Sequence, residues 1–177
     1  GFHVREEHVR EALRLAEEGS PDFEEGAVGA GTGMCCLGFK GGIGSASRLV
    51  ELDGSEYTIG ALVLSNFGEE GNLVIGGRHY GSELLSKVKE RLKSDIDGSL
   101  AKDKGSIIML IATDIPLSSR QLERVANRAA IALGRTGSYM GNGSGDIAIA
   151  FSTANRMPHY SDEKFVEMKA IHERSEE

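Results

Sequence analysis

The chain of 177 residues has no tryptophan, only two cysteines and only three prolines. The cysteines, Cys35 and Cys36, are neighbours in the sequence, and this geometry disfavours an ordinary disulfide between them. We therefore expect two small buried side chains in a protein of a reducing, cytoplasmic compartment. Because no apolar run approaches membrane-spanning length, no membrane partner is expected.

Other absences exclude further classes of function. The net charge of −7 argues against a nucleic-acid partner. The five histidines are scattered, and the sequence contains no HExxH or CxxC spacing, so neither a metal nor another cofactor is expected. The chain does not start with methionine or a signal sequence, which predicts that it begins inside a longer or processed gene product.

Glycine, in contrast, is abundant, with 24 residues. Many of the glycines cluster in residues 26–44, 68–81 and 134–145, which indicates tight turns and close backbone approaches of the kind that build ligand sites. Neither residues 29–33 nor residues 38–44 have the spacing of a dinucleotide-binding or phosphate-binding loop. The glycine clusters therefore predict compact loops without assigning a ligand.

The apolar patterns predict a mixed α/β chain. Helical spacing predicts four helices, over residues 5–18, over residues 81–93, from Ser118 or Ser119 to Gly134, and from Ser161 onwards. Apolar runs predict strands over residues 48–52, 57–65, 73–75, 106–113 and 147–152. The strand over residues 106–113 is apolar throughout, which indicates an interior position in a sheet. We expect one layered α/β domain over residues 1–177.

The junction between Gly105 and Ser106 is the most informative local feature. A polar linker over residues 94–104 leads into a strand whose first residue is a serine and whose preceding residue is a glycine. A serine hydroxyl beside an unhindered glycine carbonyl can attack it and convert the amide to an ester. Hydrolysis would then free the α-amine of Ser106, a group with an ordinary pKa of about 7.7–8.0.

Further polar side chains stand at predicted strand ends. Asn66 follows one apolar strand, and Ser144 and Asp146 come just before another. An amide donor, two hydroxyls and a carboxylate are the groups that acyl transfer needs. Taken singly, such residues are more often turn formers and caps. A Ser–His–carboxylate triad stays open, although the sequence has no GxSxG elbow.

Several blocks of the sequence, in order, resemble the L-aminopeptidase/D-esterase family, which includes the β-aminopeptidases. The blocks are VGAGTGM (28–34), GFKGGIG (38–44), SR (47–48), NFG (66–68), GSII (105–108), ATDIPL (112–117), RTG (135–137), SGD (144–146) and AFSTAN (150–155). The resemblance implies an αββα sandwich similar to that of N-terminal-nucleophile hydrolases. It also implies a precursor that cleaves itself between Gly105 and Ser106 and then acts as a serine aminopeptidase on peptides, amides or esters.

The resemblance further implies a role for each matching residue. Ser106 would be the nucleophile, Asn66 the oxyanion donor, and Ser144 with Asp146 the pair that holds and deprotonates the nucleophile. Family members are about twice as long as this chain, and part of their substrate-amine pocket lies upstream of the match to Gly1. They commonly form tetramers of processed protomers, so a homo-oligomer is expected.

Two alternatives stay open at this point. An acyltransferase similar to ornithine acetyltransferase also cleaves itself within a similar fold, but its nucleophile is a threonine, whereas this chain has Ser106. An uncleaved binding or assembly relative would fit an unbroken chain across Gly105 and Ser106.

Overall fold

A computed structural model describes residues 3–19, 22–69, 71–92 and 105–173 of the chain. Within these residues the α-helices are α1 (Glu6–Glu17), α2 (Gly81–Leu92) and α3 (Ser119–Thr136). The strands are β1 (Cys35–Cys36), β2 (Phe39–Lys40), β3 (Gly42–Leu52), β4 (Ser55–Asn66), β5 (Val74–Ile75), β6 (Arg78–His79), β7 (Ser106–Thr113) and β8 (Ile147–Ser152). The linker predicted over residues 94–104 lies outside the described residues.

The main sheet has four strands in the order β3-β4-β7-β8. Strands β3 and β4 form a long antiparallel hairpin whose turn, Asp53 and Gly54, has φ angles of 50° and 74°. Two successive positive φ angles match the right-handed twist of a hairpin, so the predicted turn is confirmed. The prediction that the glycine-rich loop runs through Gly44 and that the strand starts at residue 48 is wrong, because β3 begins at Gly42.

Strand β7 occupies the predicted residues and the predicted interior position, between β4 and β8. It pairs antiparallel with β4 and parallel with β8, which also has its predicted bounds. Parallel strands begin at the same edge of a sheet. The first residue of β7 therefore lies near the turn that precedes β8.

Helix α3 packs against β8, and residues of α3, β7 and the end of β4 share the hydrophobic core. Its N-cap is Ser118, whose side chain accepts a hydrogen bond from the backbone N–H of Gln121. The predicted helix end at Gly134 is wrong, because the helix continues to Thr136 and is capped by Gly137 with φ of 106°. Gly137 is required there, since a Cβ atom would lie 1.8 Å from the carbonyl oxygen of Asn72.

The opposite face of the main sheet is apolar and open. Side chains alternate across a strand, so residues that flank the core-facing ones point to this second face. Among the exposed apolar residues there are Leu62, Ile108, Ile147, Ile149 and Phe151, of which Ile147 and Ile149 are each 50% exposed. The main sheet of the described residues thus has helix α3 on one face and an open apolar surface on the other.

The helix predicted from Ser161, with Phe165, Met168 and either Ile171 or His172 expected on its inner side, does not form. The segment from residue 161 to residue 172 is not helical, and Phe165 is 88% exposed. The Asn155 side chain binds both backbone groups of Lys169, at 2.8 and 2.9 Å. Long-range hydrogen bonds thus hold the backbone near Lys169 away from helical geometry, and the apolar periodicity has no core to face.

Helices α1 and α2 begin within one residue of their predicted starts, and α1 also ends within one residue of its predicted end. The predicted end of α2 lies outside the described residues. The apolar positions of α1, such as Val9 and Leu13, are exposed. In α2, Leu84 and Leu85 are half-buried, whereas Lys87 is exposed and pairs with Glu83. Among the described residues, no helix is both long and apolar enough to cross a membrane.

Candidate active site

The candidate site lies where β4 ends and β7 begins. The register pairs eight consecutive residues of these strands, from Ile59 opposite Thr113 to Asn66 opposite Ser106. Directly opposed residues of an antiparallel pair project from the same face of the sheet. The register therefore places the Asn66 amide and the Ser106 hydroxyl side by side at one edge, although 39 residues separate them in the sequence.

The Ser106 hydroxyl contacts the turn that precedes β8. Its Oγ accepts a hydrogen bond from the backbone N–H of Gly145 at 3.0 Å. A Cβ atom on Gly145 would lie 3.3 Å from Oγ, so a larger residue would crowd the hydroxyl. The turn itself is held by a hydrogen bond from the Ser144 N–H to the Gly141 carbonyl at 2.9 Å.

Ser144 and Asp146, on either side of Gly145, form a hydroxyl–carboxylate pair. The Ser144 hydroxyl donates to Asp146 Oδ1 at 2.6 Å, a short distance typical of a charge-assisted hydrogen bond. The same oxygen accepts the backbone N–H of Ile107 at 3.3 Å. Because Ile107 follows Ser106 directly in β7, this second bond ties the carboxylate to the strand residue next to Ser106.

Asn66 is held through the oxygen of its amide. Its Oδ1 accepts the backbone N–H of Cys35 at 3.0 Å, and its Nδ2 has no hydrogen-bond partner among the described residues.

The prediction of two buried cysteines is wrong: the Cys35 side chain is exposed and that of Cys36 is half-buried. Burial raises the pKa of the Cys36 thiol, which disfavours a reactive thiolate there.

Gly105 is packed directly against the end of β4. A Cβ atom at this position would lie 1.8 Å from the Asn66 carbonyl oxygen and 3.0 Å from the Phe67 Cα. Both neighbours are backbone atoms and cannot turn aside. A side chain at the position before Ser106 would therefore force the backbone to shift.

All four residues predicted as catalytic meet at this edge of the sheet: Asn66, Ser106, Ser144 and Asp146. Together they offer a hydroxyl, an amide donor and an ionisable carboxylate at one end of the sheet, which are the groups that acyl transfer needs. Sequence reasoning missed the backbone N–H groups of Cys35 and Gly145. The position of Gly145 between Ser144 and Asp146 could have suggested its N–H as part of the site, but no sequence signal indicates the N–H of Cys35.

Comparison with known proteins identifies relatives that match most of this chain. The chain is 47% identical over 160 residues to beta-peptidyl aminopeptidase BapA of Sphingosinicella microcystinivorans, covering 88% of this chain and 40% of that protein. The solved PH0078 protein from Pyrococcus horikoshii OT3 superposes with a TM-score of 0.80 and 53% identity, over 99% of this chain and 44% of that one.

A second solved structure identifies the fold class. The L-aminopeptidase D-ala-esterase/amidase from Ochrobactrum anthropi, described as a variant of the Ntn-hydrolase fold, superposes with a TM-score of 0.79 and 41% identity. The match covers 98% of this chain and 44% of that one, so the expected fold class is confirmed. Residues 1–176 match the sequence model of peptidase family S58. The chain spans less than half the length of these relatives, and it belongs to peptidase family S58.

Proposed function

We propose that the protein containing this chain is a self-processing serine aminopeptidase that removes N-terminal residues from peptides, amides or esters. The observation that carries the proposal is the meeting of the Ser106 hydroxyl with Asn66 and the Ser144–Asp146 pair at one sheet edge. The names of the relatives, a beta-peptidyl aminopeptidase and an aminopeptidase with esterase and amidase activity, support the same class of substrate.

In the first step Ser106 acts on its own chain. The hydroxyl oxygen attacks the Gly105 carbonyl while the Ser144–Asp146 pair takes the hydroxyl proton. The C–N bond breaks as the nitrogen is protonated, which leaves an ester between Gly105 and Ser106 and a free α-amine. Water then hydrolyses the ester, so that one chain ends in the Gly105 carboxylate and the other begins with Ser106. The missing Cβ of Gly105 leaves its carbonyl open to this attack.

In turnover the same hydroxyl attacks the carbonyl of a substrate's first residue. Its proton passes either to the new α-amine of Ser106 or to the Ser144–Asp146 pair. The tetrahedral anion is stabilised by Asn66 Nδ2 and by a backbone N–H, for which the candidate is that of Gly145, since it already donates to the Ser106 hydroxyl. The leaving amine takes a proton and departs, and water hydrolyses the acyl-enzyme on Ser106.

Three further features belong to the proposal. The substrate's free amine is held by residues outside this chain, in keeping with a match that covers only 40% of the length of a relative. The processed protein assembles into a homo-oligomer, for which a tetramer is the expectation, and it resides in the cytoplasm. One domain over residues 1–177 remains a prediction.

Intact mass under denaturing conditions tests the proposal on the full gene product. We expect two polypeptides from the wild type, the second starting at Ser106, and one unbroken chain from Ser106→Ala. Ser86→Ala, which removes an exposed hydroxyl on α2, is the matched control and should cleave like the wild type. A single wild-type chain after prolonged incubation, or cleavage of Ser106→Ala, would overturn the proposal.

A further inference from the structure

The small hairpin formed by β1 and β2 packs on the end of β4, next to the candidate site. The Leu37 N–H donates to the Phe67 carbonyl at 2.8 Å, and the Cys35 N–H donates to Asn66 Oδ1 at 3.0 Å. Leu37 is only 2% exposed and belongs to the same hydrophobic core as Phe67. The hairpin is thus anchored by a buried side chain and presents one of its backbone amides to Asn66.

Gly41 allows the hairpin to come this close to β4. A Cβ atom on Gly41 would lie 2.3 Å from the Ser65 carbonyl oxygen and 3.1 Å from the Cys35 carbonyl carbon. Both contacts are with backbone atoms, so a side chain here would push the hairpin and β4 apart by about 1 Å to reach ordinary contact at 3.4 Å. The position of the Cys35 amide relative to Asn66 therefore depends on Gly41.

The contact with Cys35 decides which way the Asn66 amide faces. An asparagine side chain has an accepting oxygen on one side and a donating nitrogen on the other. A backbone N–H can be satisfied only by the oxygen, because the flipped amide would set two donors against each other. Oδ1 is thereby directed to the hairpin, and Nδ2 is directed away from it, with no partner among the described residues.

We propose that the Cys35 backbone amide is a positioning group for the reaction. By binding Oδ1, it fixes the rotation of the Asn66 side chain so that Nδ2 donates to the oxyanion formed during attack by Ser106. This inference rests on the proposed function, in which Asn66 stabilises that oxyanion. The exposed Cys35 thiol has no part in it; only the backbone N–H is used.

Two substitutions at Cys35 in the full-length protein separate the amide from the thiol. Cys35→Pro removes the N–H, and Cys35→Ala keeps it while removing the sulfur. Because misplacing a catalytic group by about 1 Å can cost about 10²-fold in rate, we expect Cys35→Pro to lower kcat by about that factor with KM unchanged. Cys35→Ala should keep the wild-type kcat. The substrates are amino-acid p-nitroanilides, and rates are given per mole of cleaved protein.

A double-mutant cycle distinguishes positioning from a general loss of structure. In an Asn66→Ala background, Cys35→Pro should cause no further loss, because the group that it positions is already absent. An equal loss in both backgrounds would overturn the inference. Where slow self-cleavage limits the supply of processed enzyme, the same double-mutant cycle uses the rate of self-cleavage in place of kcat.

A pair of glycine variants provides a second test should the proline variant fail to fold. Gly41→Ala must displace the hairpin, whereas Gly44→Ala places its Cβ 3.7 Å from its nearest neighbour, a Val63 methyl group. We expect kcat to fall in Gly41→Ala but not in Gly44→Ala. In an Asn66→Ala background, Gly41→Ala should cause no further fall in kcat. Wild-type kcat in Gly41→Ala would refute the inference while leaving the proposed function intact. An Asn66→Ala variant with full activity would refute the oxyanion role itself.

Discussion

Replacing Gly105 by alanine should strongly slow the proposed self-cleavage while leaving the sheet in place. The added Cβ would lie 1.8 Å from the Asn66 carbonyl oxygen and 2.7 Å from its carbonyl carbon, well short of ordinary contact at 3.4 Å. Something must therefore move by about 1.6 Å, the difference between 3.4 and 1.8 Å. Asn66 belongs to β4 and pairs with Ser106, whereas Gly105 lies just before β7 begins. The residue that moves is therefore Gly105, which carries the carbonyl that Ser106 is proposed to attack.

The size of this movement sets the expected effect. Displacing a reacting group by about 1 Å can cost about 10²-fold in rate, so Gly105→Ala should cleave at least about 10²-fold more slowly than the wild type. The backbone of Gly105 carries no positive φ, so the effect comes from the contact with Asn66 and not from backbone strain. The folded protein should otherwise keep its secondary structure.

A time course of newly synthesised full-length protein, followed by intact mass, measures the rate of cleavage. Gly134→Ala is the matched control, because nothing lies within 4 Å of the added Cβ in helix α3. It should cleave at the wild-type rate. Cleavage of Gly105→Ala at the wild-type rate would refute the argument that close backbone contact positions the scissile bond.

Three other substitutions test separate parts of the structure. Asn66→Ala should lower kcat by about 10²–10³-fold with the fold intact, since it removes the proposed oxyanion donor; near-normal turnover would contradict that role. Asp146→Asn keeps an oxygen for the Ile107 N–H but removes the carboxylate, so self-cleavage should slow by about 10²–10⁴-fold at an unchanged melting temperature. Gly137→Ala, at φ of 106° and with a Cβ 1.8 Å from a carbonyl oxygen, should destabilise the fold by more than about 1 kcal/mol in chemical denaturation.

The parts of the fold that the sequence predicts are those with strong local signals. Strands β7 and β8 have continuous apolar runs with polar residues at their starts, and their observed bounds are the predicted ones. The turn at Asp53 and Gly54 and the serine cap of α3 also depend on short-range chemistry. The blocks of residues that resemble a known family led to the family that the comparisons show.

The parts that the sequence does not predict depend on tertiary contacts. The glycine-containing start of β3 lacks an alternating apolar pattern, yet it pairs with β4 from Gly42 onwards. Residues beyond Ser161 have helical periodicity, but the Asn155 side chain holds Lys169 in another conformation. Gly134 resembles a helix end, although α3 continues until Gly137, where the close approach of Asn72 requires a glycine. In each case a contact across the fold overrides a local preference.

The site depends in the same way on strand register. Side chains alternate between the faces of a strand, so shifting β7 by one residue against β4 would turn Ser106 toward α3 and leave Ile107 beside Asn66. The buried side chains of Ile107 and Met109 oppose such a shift, because it would move both from the core to the open face of the sheet. Core packing thus keeps the hydroxyl next to the amide. The Ile107 N–H bond to Asp146 acts on the other side of β7, where it holds the same stretch of the strand against the residue that precedes β8.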